Sequence, residues 1–233
     1  MASLQRTIKR RLAEAINNKD WKAIGNLQAL INKALDKPNN LILCGDAYKY
    51  SHPKFYEEGT THMCSYLESR GGKFDETVFY GLQIYLKEFL EGVAFTQEEL
   101  EEAYEYLGDK HGVFGRDDVF DKSKFQYIID QYGGHLPVRI KAVPEGTVVS
   151  VKNVLMTIEE TDDNCAWLVG FLETLLLQVW YPITVATLSR EVKKIVQKAF
   201  DETSSLPPEV IAIVMEFVLN DFGFRGVSSV QSA

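Results

Sequence analysis

Leu219-Asn220-Asp221-Phe222-Gly223-Phe224-Arg225-Gly226-Val227-Ser228-Ser229 sits near the end of a 233-residue chain and organises the reading of everything before it. An apolar run, Ile211-Ala212-Ile213-Val214-Met215-Glu216-Phe217-Val218-Leu219, leads into it and offers a buried strand, with a helix as the rival reading. Two glycines then flank an aromatic ring and an arginine, and two serines follow that suit a helix cap. Glycine lets the backbone turn tightly, Phe222 offers a flat face, and Arg225 offers a planar fork shaped for phosphate. Such a pair suits an aromatic base being joined to a sugar phosphate. The plainer alternative is a strand turn in a barrel with a surface arginine. A kinase reading of Asp221-Phe222-Gly223 fails, because no glycine-rich phosphate loop and no His-Arg-Asp loop accompany it.

The chain is long enough to bury a core, and its composition is that of a folded domain: 45% hydrophobic, 25% charged and 12% aromatic. The formal charge is −8, unevenly spread. Residues 1–40 hold eight Lys/Arg against three Asp/Glu, and the remainder holds 17 against 30. An acidic body argues against general nucleic-acid binding. Cys44, Cys64 and Cys165 are few and widely spaced, and read as reduced packing residues of a cytoplasmic protein. His52, His62, His111 and His135 lack metal-ligand spacing, so no metal site is expected. The N-terminus offers no apolar segment of a secretory signal. The most apolar stretch, Cys165 to Ile183, is interrupted by Glu173, Gln178 and Pro182, which fits a buried helix better than a membrane span.

Residues 4–35 carry two stretches of helical periodicity, a basic hairpin closed off by Lys37-Pro38-Asn39-Asn40; residues 1–40 are therefore expected to be an appendage to a body over 41–233. In the body, Thr61 to Arg70 partly alternates as a strand, and Glu76 to Glu91 has the pattern of an amphipathic helix stopped by Gly92. Thr96-Gln97-Glu98-Glu99 is a capping box opening a helix to about Leu107, and Phe125 to Tyr132 predicts another. Pro137 to Val143, Thr147 to Val151 and Val154 to Ile158 predict antiparallel strands, with Val143-Pro144-Glu145-Gly146 as a turn. A buried helix from Asn164 to Trp180, a break at Tyr181-Pro182, a helix from Thr184 to Ala199 and a loop from Ser204 to Pro208 complete the series. The expected fold is α+β: an antiparallel sheet with packed helices leading into the start of an incomplete α/β barrel. A strand–turn–helix that has only begun by Ala233 also gives the expectation of a fragment of a longer polypeptide.

Seven stretches, in order, resemble the nicotinamide phosphoribosyltransferases. They are Asp46-Ala47-Tyr48-Lys49-Tyr50-Ser51-His52, Ser65-Tyr66-Leu67-Glu68-Ser69-Arg70, Glu76-Thr77-Val78-Phe79-Tyr80-Gly81-Leu82-Gln83, Gly134-His135-Leu136-Pro137, Lys141-Ala142-Val143-Pro144-Glu145-Gly146, Trp180-Tyr181-Pro182-Ile183-Thr184-Val185-Ala186-Thr187 and Asp221 to Ser229. The resemblance covers about residues 41–233 and corresponds to the N-terminal half of such an enzyme, of the type II phosphoribosyltransferase family.

It implies transfer of a phosphoribosyl group from phosphoribosyl pyrophosphate, with Mg²⁺, to nicotinamide, and ATP as an activator of the complete enzyme. It also implies a homodimer with shared sites. Phe222 would stack on one face of nicotinamide, Tyr48 of the partner subunit would cover the other, and Arg225 and Arg70 would meet phosphates. Asp221 and Asp46, from the same two motifs, join them as substrate-binding positions, and no catalytic residue is expected within these 233. Three departures stand out. Asn220 replaces a frequent His, Phe224 replaces a usual Tyr, and the loop after Arg70 is short. The alternatives are a nicotinate phosphoribosyltransferase, or a non-catalytic truncated protein that dimerises or pairs with a separately encoded C-terminal half.

Overall fold

A computed structural model of the protein describes residues 40–108 and 110–227. The helical hairpin read over residues 4–35, and the caps offered by Ser228 and Ser229, lie outside the described residues. In chain order the strands are β1 (Cys64–Glu68), β2 (Glu76–Val78), β3 (Val138–Ala142), β4 (Val148–Ser150) and β5 (Val154–Glu160). The α-helices are α1 (Leu82–Tyr85), α2 (Gln97–Ala103), α3 (Lys122–Tyr132), α4 (Ala166–Phe171), α5 (Glu173–Leu176), α6 (Trp180–Thr203) and α7 (Pro208–Phe217). The class is α+β, as expected. The described chain divides into two units, one of residues 40–51 and 88–136, the other of residues 52–87 and 137–227.

The first unit is helical around a core of aromatic rings. Phe120 stacks on Phe125 at 5.2 Å between centroids, and Phe95 and Tyr50 meet this pair edge-on. The Tyr50 hydroxyl donates to the Ile42 carbonyl at 2.7 Å, and burial pushes its pKa up to about 12. The capping box is present as read: the Thr96 side chain accepts from the Glu99 N–H, and the Glu99 carboxylate accepts from the Thr96 N–H. The last turn of α2 passes into a π-helical turn, Tyr104–Gly108. Helix α3 begins three residues before the expected Phe125, because Asp121 caps it through the Ser123 N–H. It ends on left-handed Gly133, whose N–H reaches the Ile129 carbonyl while that of Gly134 reaches Ile128.

The second unit holds both sheets, all pairings antiparallel. β5 runs between β1 and β3, aligning Ser65, Ile158 and Ile140 across the face. α4 packs on β5, burying Leu168 and Val169 with Met156 and Ile158. β2 pairs with β4 and is clamped to α6 by Thr187. The Thr187 Oγ1 accepts from the Val78 N–H at 2.9 Å, lies 3.0 Å from the Thr77 hydroxyl, and donates to the Ile183 carbonyl.

Several expected boundaries change. Glu76–Val78 is strand, so the helix expected from Glu76 begins only at Leu82, after Gly81 turns the backbone at φ +97°. The turn after β3 is closed one residue later than read. Thr147 N–H donates to the Pro144 carbonyl and Gly146 takes φ +85° at the third position, as a type II turn requires. Pro182 does not break its helix. It sits in the first turn of α6, where backbone N–H groups have no intrahelical acceptor to lose. The bend lies earlier: Asp163–Phe171 and Glu173–Thr203 meet at 42°. No single described helix is long and apolar enough to cross a membrane. The apolar run after Pro208 is helix α7 and not a strand, with Pro208 at its favoured first position.

One buried carboxylate gives this unit a pH dependence. Glu160 ends β5 with a side chain only 3% exposed; it pairs with the ring of His62 and accepts the Met63 N–H at 2.9 Å. Burial raises its carboxyl pKa, but the Met63 and Glu160 N–H groups and His62 outweigh that and hold it below the ordinary value. A carboxyl depressed in the fold contributes stability that is complete above the ordinary range, about pH 4.3, and is lost as pH falls through the folded value. Glu160→Gln is therefore expected to cost about 1–2 kcal/mol at pH 7 and to flatten the acid side of a urea-unfolding series. An unchanged acid slope would remove Glu160 from the account.

Candidate functional site

Phe222 and Arg225 are presented by a short turn. Asp221 accepts the Gly223 N–H at 2.6 Å, and a single 3₁₀ turn follows over Gly223–Gly226. A Cβ on residue 223 would lie 2.8 Å from the Asp221 Oδ1, so glycine keeps that bond accessible. The turn leaves Phe222 74% exposed, with Phe224 and Arg225 also open. Among the described residues no carboxylate pairs with Arg225. Asn220, the first departure, donates to the Phe217 carbonyl at 3.2 Å and so closes the end of α7.

Asp46 and Tyr48 lie in the first unit, Tyr48 on the 3₁₀ turn Ala47–Tyr50 and Asp46 at the position before it. The Tyr48 hydroxyl is 3.5 Å from the Asp46 carboxylate, the two predicted residues that this turn brings together. Lys49, unremarked in the sequence, is buried, with its ammonium 5.3 Å from the Tyr48 ring centroid. Tyr48 is 52% exposed on this turn.

Arg70 stands in the second unit, two residues past β1, exposed and without a carboxylate partner among the described residues. It lines a cavity of about 490 Å³ with Glu68, Glu173, Ser65, Met156 and Leu176; residues 221–226 do not line it. Glu68 and Glu173 escaped the sequence reading because only the packing of α5 near β1 brings them to one wall. Glu160 and His62 escaped it for the same reason, being 98 residues apart. Cys165 is buried as expected and burial raises the Cys44 pKa, but Cys64 is exposed, on β1 opposite Glu159. Among the described residues no group of three or more His, Cys, Asp or Glu is placed to hold a metal ion.

A family profile described as "Nicotinamide phosphoribosyltransferase, N-terminal domain" matches residues 40–140. The chain carries the N-terminal domain of the nicotinamide phosphoribosyltransferase family. A nicotinamide phosphoribosyltransferase of Xanthomonas campestris pv. campestris (strain 8004) is 47% identical over 195 residues, 84% of this chain and 39% of the relative. Those of Acinetobacter baylyi and Mycoplasma genitalium are 28% and 29% identical over 202 and 210 residues, covering 81% and 83% of this chain and 38% and 45% of themselves. The chain thus spans about two fifths of the length of the relatives it matches. Asp46, Tyr48 and Arg70 fall inside the matched nicotinamide phosphoribosyltransferase domain; Asp221, Phe222 and Arg225 lie beyond the matched residues.

Proposed function

We propose that the chain supplies substrate-binding residues to a nicotinamide phosphoribosyltransferase of NAD salvage. The reading rests on one observation: an exposed aromatic ring and a guanidinium with no carboxylate partner among the described residues, Phe222 and Arg225, held three residues apart on a turn fixed by Asp221. In the reaction the pyridine nitrogen of nicotinamide bonds to the anomeric carbon of phosphoribosyl pyrophosphate. The bond to pyrophosphate breaks, and nicotinamide mononucleotide and pyrophosphate result. Phe222 stacks on the pyridine ring and orients its nitrogen. Arg225 and Arg70 meet the phosphates, and their fixed charge stabilises the developing pyrophosphate. Tyr48 of the partner subunit closes the second face of the base in a cytoplasmic homodimer. Mg²⁺ bound with phosphoribosyl pyrophosphate would supply charge neutralisation to the diphosphate.

The 233-residue chain spans 39% of its Xanthomonas relative, and on its own it is expected not to form product. The test is a mononucleotide-forming assay with nicotinamide, phosphoribosyl pyrophosphate and Mg²⁺, run on this chain and on a full-length protein carrying it. Product is expected from the full-length protein only. There Phe222→Ala and Arg225→Ala should each lower kcat/KM by about a hundredfold or more, a loss typical of positioning and electrostatic groups. Variants matching the parent would overturn the assigned roles. Turnover of nicotinate in place of nicotinamide would move the reading to the sister reaction.

A further inference from the structure

Helix α6 carries an apolar stripe on its open side. Leu188 and Ile195 are 53% and 70% exposed, and with Ala199 and Val192 they fall within about 60° of arc at 3.6 residues per turn. Ile183 and Thr187, the side chains of this helix that are buried, lie well round from that stripe. Helix α7 repeats the pattern. Ile213 and Phe217 are 62% and 71% exposed, and with Val210 and Val214 they span about 100° of arc, while Ile211 alone is buried. The two helices are consecutive and in contact within the same unit. Soluble domains seldom expose apolar side chains in register along two adjacent helices unless something covers them.

The match to the Xanthomonas relative takes in 84% of this chain, while about three fifths of that relative has no counterpart in it. We propose that the α6 and α7 stripes are a docking surface for that unmatched portion of a nicotinamide phosphoribosyltransferase, whether it is joined to this chain or supplied as a separate polypeptide. The inference rests on family membership and not on the substrate reading, and its test uses no substrate.

The 233-residue chain is co-expressed with the unmatched portion of the Xanthomonas relative, and the relative's own two portions serve as the positive control. Size-exclusion chromatography with light scattering should give a one-to-one complex in both cases. Leu188→Asp with Ile195→Asp, and separately Ile213→Asp, should weaken association at least tenfold while leaving the far-UV circular dichroism unchanged, because these side chains are exposed. Val113→Asp, exposed in the other unit, should bind as the parent does. Hydrogen exchange should slow along α6 and α7 in the complex. Failure to associate while the control pair does, stripe variants that bind like the parent, or burial of the stripes in a homodimer of the 233-residue chain would each overturn the proposal.

Discussion

Gly134→Ala is expected to destabilise the first unit by about 3–5 kcal/mol, a large share of the ~5–15 kcal/mol that holds a typical domain together. Gly134 sits at φ +85°, a conformation that costs an L-residue about 1–2 kcal/mol. A Cβ built there would lie 2.2 Å from the Phe95 carbonyl oxygen and 3.1 Å from a Val93 methyl. The first is backbone and cannot swing aside. Moving it strains the bond that the Ala94 N–H makes to the Gly134 carbonyl at 2.8 Å, worth about 1 kcal/mol. It also shifts Phe95, a fully buried ring edge-on to Phe125. Gly133→Ala is the matched control. Its φ is +60° and the nearest heavy atom is 4.0 Å away, so about 1 kcal/mol is expected. Urea unfolding of the two variants separates backbone conformation from collision. Equal losses would show that the Phe95 carbonyl imposes no constraint.

That contrast bears on how far the sequence could be read. Gly134-His135-Leu136-Pro137 is one of the seven stretches that carry the family resemblance, and in the fold its first residue serves backbone packing. Val138–Ala142 was legible because its residues alternate, with Val138 and Ile140 half-buried between exposed Arg139 and Lys141, and Val154–Glu160 because it opens on a short apolar run. The Thr96 capping box was legible because its signal is local. Glu76–Val78 was not: its apolar spacing fits a helix, and the decision is made by pairing with Val148–Ser150 and by Thr187, 109 residues beyond Val78. The run in α7 fits strand and helix equally by composition, and Pro208 at the first position with a four-residue 204–207 loop before it favours helix. For the candidate site, the rings and guanidinium groups were legible as residue types. What sequence could not supply was the bond from Gly223 to Asp221, the buried Lys49 under Tyr48, or the two carboxylates sharing a wall with Arg70.

Gly81→Ala should be nearly as damaging in the second unit, at about 3–4 kcal/mol, or a fall in Tm of about 10 °C for a chain of this size. Gly81 is at φ +97°, and a Cβ there would lie 2.5 Å from Cγ and 2.7 Å from Cβ of Pro182. A proline ring cannot rotate away, so either the β2–α1 connection or the first turn of α6 must move. The connection is held on both sides. Phe79 donates to the Thr147 carbonyl and accepts from the Gly146 N–H, and the Gln83 N–H is bound by Glu145. The first turn of α6 is the freer partner, and its displacement would pull Thr187 from the Val78 N–H and leave two buried hydroxyls poorly paired. A double-mutant cycle tests this. Pro182→Ala removes the nearer ring atom, so it should recover about 1 kcal/mol or more in the Gly81→Ala background while the conformational penalty at φ +97° persists. Strict additivity would mean that Gly81 and Pro182 do not constrain each other, and the close approach of two stretches that carry the family resemblance would need a different explanation.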